Sequence, residues 1–103
     1  MQRRKVVLIA TATADLERTV EFLVGIGASS RTAKAYVDRI TRRCWKLGTA
    51  SFVGTARDEL APGLRTVGFE RSATIAFRLL SDRIEVVNAF YGGRDIDAFY
   101  GQS

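Results

Sequence analysis

The sequence predicts an α+β domain in which an N-terminal strand and a helical hairpin pack on a small antiparallel sheet, in the order β-α-α-β-β-β. Three observations predict it. Residues 5–10 form a short run rich in β-branched residues; residues 11–48 carry helical apolar spacing broken once by glycines; and residues 64–91 alternate in three pieces joined by short turns. The 103 residues, 47% of them hydrophobic and with one proline, match the size and composition of one folded domain, expected to span 1–103.

Lys5 to Ala10 is apolar on both faces, as in a strand covered by helices. Its five apolar residues after Arg3-Arg4-Lys5 fall short of a secretory leader, and no run approaches a bilayer span, so a soluble cytoplasmic protein is expected. Thr11 or Thr13 is placed to cap the first helix, with Asp15 and Glu17 near its positive end. Leu16, Val20, Leu23 and Val24 supply its apolar stripe. Gly25-Ile26-Gly27-Ala28 breaks the helix, and Ser29 or Ser30 restarts it. Ala33, Val37, Ile40, Cys44 and Leu47 follow at helical spacing, Asp38 and Arg42 are set as an i,i+4 pair, and Gly48 ends the helix.

Residues 49–63 read as irregular, closing on the Pro62-Gly63 turn. Leu64–Glu70, Ala73–Leu80 and Ile84–Tyr91 then form an antiparallel meander with turns at Arg71-Ser72 and Ser81–Arg83. In the last strand, Ile84, Val86 and Phe90 share one face and Glu85, Val87 and Tyr91 the other. Gly92-Gly93 terminates it, before a final helical turn over 94–100.

The chemistry is bounded by what is missing. With no histidine, the chain cannot build an imidazole base or a His-ligated metal site. One cysteine, Cys44, on the apolar stripe, allows neither an internal disulfide nor a multi-cysteine site. No cofactor and no metal are expected. Thirteen arginines and three lysines oppose 11 acids, for a net charge of +5. Residues 1–48 hold ten cations and four anions, while residues 49–103 hold six and seven, so the positive excess lies in the N-terminal half. That half suits nucleic acid, an acidic protein partner or a solvated face. No aromatic residues interleave with its cations as single-strand binding requires. Trp45 stands one step off the stripe, either a core-edge residue or a partner anchor. Arg65 and Arg94 flank the meander with Tyr100 six residues further on. Two guanidiniums and a phenol can hold a phosphodiester, though pairing with nearby acids such as Asp58, Glu59 or Asp95 is the simpler reading.

Arg57-Asp58-Glu59-Leu60-Ala61-Pro62-Gly63-Leu64-Arg65, Ile84-Glu85-Val86-Val87, Gly92-Gly93-Arg94-Asp95-Ile96 and the early Ala14-Asp15-Leu16-Glu17 closely resemble ParE toxins of the RelE/ParE superfamily along nearly the whole chain. The resemblance implies the toxin of a type II toxin–antitoxin pair that inhibits DNA gyrase by binding, blocks replication and stabilises plasmids. It also implies a ParD-like antitoxin, acidic and folding on binding, and no direct DNA binding alone. Arg65, Tyr91, Arg94 and Tyr100 become the candidates for target binding, and no catalytic residue is expected. Leu16, Val20, Leu23, Arg42 and Trp45 become the candidates for antitoxin contact, with a shallow groove lined by Leu16, Val20, Leu23 and Trp45 expected to take part. RelE relatives instead cut mRNA on the ribosome, for which Arg65, Arg94 and Tyr100 would be the catalytic set. Those nucleases also place lysines around the first meander strand, and residues 49–103 contain none. A basic, non-enzymatic binding module is the third reading.

Overall fold

In the computed structural model, which describes residues 3–50 and 53–92, β-branched Val6 and Val7 sit in β1 (Lys5–Leu8) and the chain turns at once into α1 (Ala10–Gly25). Then follow α2 (Ser30–Lys46), a two-residue β2 (Thr55–Ala56) inside the segment expected to be irregular, β3 (Leu64–Phe69), β4 (Ala73–Leu79) and β5 (Arg83–Tyr91). The element order is the expected α+β series with β2 added; the meander strands shift by a residue at their ends, while β1 stops at Leu8 rather than Ala10 and α1 starts at Ala10, ahead of Thr11.

The sheet is mixed rather than wholly antiparallel. Its order is β1-β5-β4-β3-β2; the meander is antiparallel, and β1 pairs parallel to β5, Lys5 opposite Arg83 through Leu8 opposite Val86. The helices cover one face, where Leu16, Ile40, Cys44 and Leu47 meet Ile75, Phe77, Ile84 and Val86 in the main core. The other face carries Leu64, Ala76 and Phe90, with Leu60 and Ala61 of the Pro62-Gly63 loop against them.

Simple alternation fails in β5 because Val87 is an extra residue. Phe77 pairs with Val86 while Ala76 pairs with Asn88, so the pleat inverts after the bulge. Phe90 therefore leaves the face of Ile84 and Val86, and Ala89 joins the main core instead.

The first helix is not capped by Thr11 or Thr13. Ile9 occupies the N-cap position without a side-chain bond, and the first turn contains no acid. Asp15 and Thr11 are drawn away by β5. β1 ends at Leu8, so among the described residues no strand flanks the edge of β5 beyond Val86, and its backbone polar groups need other partners. The Thr11 hydroxyl donates to the Val87 carbonyl at 2.6 Å, and Asp15 Oδ2 accepts the Ala89 N–H at 3.0 Å. One face of α1 thus substitutes for the missing strand. Val24, expected on the stripe, is exposed, because the stripe's last turn runs past the sheet.

Ser29 caps α2, its hydroxyl accepting the Thr32 N–H at 3.0 Å. Asp38 and Arg42 form no ion pair, both lying on the exposed, solvated side of α2. The β3–β4 turn centres on Glu70 and Arg71, one residue earlier than expected, with φ of 49° and 56°. Both central residues are left-handed, the geometry that matches the strand twist in a two-residue hairpin. Arg39 of α2 grips Glu70 with two hydrogen bonds of 3.1 Å, which also holds the Glu70 carboxyl below its ordinary value.

Candidate functional site

Asp15 is a buried acid that receives three hydrogen bonds on its carboxylate, where the residue spacing pointed only to the helix dipole. Its carboxylate is 5% exposed and accepts from Arg18 Nη2 at 2.6 Å, Asn88 Nδ2 at 2.9 Å and the Ala89 N–H. A buried carboxylate with charged and neutral donors on both oxygens is a positioning group, fixing α1 against the end of β5. The available signal was its place between Ala12 and Leu16 on the buried face of α1.

Beside it, a groove of about 720 Å³ opens between α1 and the last residues of β5, lined by Arg18, Glu21, Phe22, Tyr91 and Gly92 among others. Tyr91 sits at the hub of an aromatic cluster: 5.8 Å from the Phe22 ring and 5.6 Å, edge-on, from Tyr36, which in turn meets Phe69 at 6.0 Å. The Tyr36 hydroxyl shares a 2.6 Å hydrogen bond with Ser72, and burial pushes its pKa up despite that bond. The Arg39 guanidinium lies 5.4 Å from the centre of the Tyr36 ring. Neither Tyr36 nor Phe22 was singled out by sequence. Their partners lie on other elements, which helical spacing does not report.

Arg65 does not pair with Asp58 or Glu59. Its Nε donates to the Val53 carbonyl at 3.2 Å and its Nη2 to the Gly54 carbonyl at 3.3 Å, pinning the segment before β2 onto β3. Glu59 pairs with Arg57 instead, and Asp58 accepts the Gly63 N–H within the loop. Arg94, Asp95 and Tyr100 lie outside the described residues, and with them the expected convergence of Arg65, Arg94 and Tyr100 and the final helical turn over 94–100. Among the described residues no group of three His, Cys, Asp or Glu side chains could hold a metal. Cys44 is buried, which raises its thiol to about 11 and leaves it protonated near neutrality.

The five candidates for antitoxin contact do not form one groove. Leu16 is core, Val20 and Leu23 are half-buried in the hairpin, and Arg42 is exposed. Trp45 is 51% exposed and lines a separate pocket of about 330 Å³ with Arg3, Arg4, Val6, Lys46 and Gly48.

No protein-family model matches the chain, and no curated protein matches it. No helix among the described residues is long and apolar enough to cross a membrane. Among solved structures, a chain of the chromosomal ParDE TA (toxin–antitoxin) system from P. aeruginosa superposes with a TM-score of 0.75 at 22% sequence identity, covering 87% of this chain and 97% of that one. The strand, helical hairpin and five-stranded mixed sheet are therefore the fold of that ParDE chain.

Proposed function

We propose that this chain is a ParE-type toxin domain, spanning residues 1–103, of a type II toxin–antitoxin pair. On this reading it acts in the cytoplasm, inhibits DNA gyrase by binding, and is neutralised by an acidic ParD-like antitoxin. The observation that carries the reading is the fold shared with a ParDE chain over nearly the full length of both, joined to the Arg57–Arg65 and Ile84–Val87 motifs. Fold alone does not choose among activities. What favours binding over chemistry is the use of Arg65 as a clamp on Val53 and Gly54, together with the absence of lysine from residues 49–103.

The antitoxin reading has support at the sheet edge. The Ile9 N–H donates to Val86, so Lys5 and Val7 also turn their backbone groups toward β5, and Val6 and Leu8 turn theirs outward. The Gly48 carbonyl takes the outward Arg4 N–H; beyond it no other described residue pairs with the outer edge of β1, which suits an added strand.

The test is induction of the chain with and without the small protein encoded beside it, followed by two target assays. Growth arrest relieved by the neighbour, lost supercoiling and accumulating cleaved gyrase complexes are expected. Cleavage of mRNA only on ribosomes, abolished by Tyr100→Phe, would move the chain to the RelE-like endoribonucleases. Unimpaired growth with neither activity would leave a basic binding module.

A further inference from the structure

The pocket around Trp45 is built rather than incidental. α2 ends where β1 begins, and Gly48 makes the join. Its carbonyl accepts the Arg4 N–H at 2.8 Å, and a Cβ at this position would come within 2.5 Å of the Arg4 carbonyl oxygen and 3.3 Å of Val6 Cγ2. That close approach leaves the Trp45 indole half in solvent beside a fixed floor.

The pocket's charge is one-sided. Among the described residues Arg3, Arg4 and Lys46 line it and no acid does, and Arg42 follows one turn earlier on the exposed side of α2. Elsewhere Arg18, Arg39, Arg57 and Arg83 are each tied to a carboxylate of this chain. Among the described residues Arg3 and Lys46 enter no ion pair, so their charge is directed outward. A large flat ring with an N–H donor, framed by cations and partly desolvated, is the residue combination that anchors protein interfaces. A continuous polyanion would be satisfied by the cations alone. The solvent-facing ring adds an apolar requirement that a phosphate backbone does not meet.

We infer that the Trp45 pocket is a docking point for an acidic peptide segment of a partner protein, which seats one aliphatic side chain on the indole and sets flanking carboxylates against Arg3 and Lys46. This inference rests on the reading of an acidic partner and assigns that partner a contact distinct from the hairpin of Leu16, Val20 and Leu23. It requires no activity of the chain, so the test separates it from the toxin assignment.

Trp45 is the chain's one tryptophan, so its emission reports occupancy directly. The probe is a synthetic twelve-residue peptide of Asp and Glu with a central Leu-Leu pair. The controls are the same peptide with Gly-Gly at the centre and a single-stranded oligonucleotide of equal charge. The expected result is a saturable blue shift with the leucine peptide, at least fivefold weaker binding of the glycine peptide, and about tenfold weaker binding by Arg3→Ala/Lys46→Ala. Circular dichroism and the thermal midpoint of that variant should match the parent. An unmoved emission, equal affinity for the glycine peptide, unchanged binding by the double variant, or tighter binding of the oligonucleotide would each overturn the inference.

Discussion

Asp15 is where one residue decides most. An acid near a helix start reads from sequence as a dipole partner, because sequence shows only local neighbours. Besides the local Arg18, its partners are Asn88 and the Ala89 N–H, more than 70 residues away, and that N–H needs a partner because β1 stops at Leu8. Asp15→Ala strands buried donors, so it is expected to cost about 2–3 kcal/mol, read from the urea midpoint. Cys44 behaves as its place on the apolar stripe predicts: native protein should resist thiol reagents at pH 8 and react on unfolding. Its raised pKa favours the fold below the ordinary thiol value, and that contribution is lost as pH climbs from about 9 through about 11. Tyr36, also raised by burial, acts in the same direction at the upper end. The thermal midpoint should fall across this window, and Cys44→Ala should flatten the fall at a cost of about 1 kcal/mol at neutral pH.

Elements were legible where periodicity speaks and silent where register does. The glycine break, the Ser29 restart and the three meander strands follow from spacing, because apolar burial imposes it. The Val87 bulge does not, since one extra residue leaves composition unchanged while inverting every side chain after it. Arg65 was legible as an important position but not as a clamp. Arg65→Ala should release the 53–54 segment, speeding amide exchange around β2 while the cores of β4 and β5 stay protected. The β3–β4 turn gives a test of opposite sign. Arg71 holds a φ of 56° that L side chains adopt at a cost of about 1 kcal/mol, so Arg71→Gly should raise the melting temperature by a few degrees.

At the scale of the molecule, the exposed large apolar side chains divide between two ends. Among the described residues, Phe22, Val24 and Ile26 gather where the hairpin turns, and Trp45 lies apart from them beside β1. The expected antitoxin groove joined Trp45 to Leu16, Val20 and Leu23; helical spacing placed all four on the hairpin but could not say which would be consumed by the core. Trp45→Ala should weaken partner binding at least tenfold while moving the unfolding midpoint little, whereas Leu16→Ala should cost about 2–4 kcal/mol of stability. The parallel pairing of β1 with β5 has a consequence in time. Lys5–Leu8 leaves the ribosome long before its hydrogen-bonding neighbour, Arg83–Val86, has been made. Closing that pair spans nearly eighty residues, so it carries the largest loop-closure cost in the sheet and should be the slow step of folding. Until β5 has been synthesised, α1 has no β5 edge to cover and Asp15 lacks Asn88 and the Ala89 N–H. A chain stalled before β5 therefore stays unassembled, and every surface that depends on the closed sheet forms only once β5 has emerged.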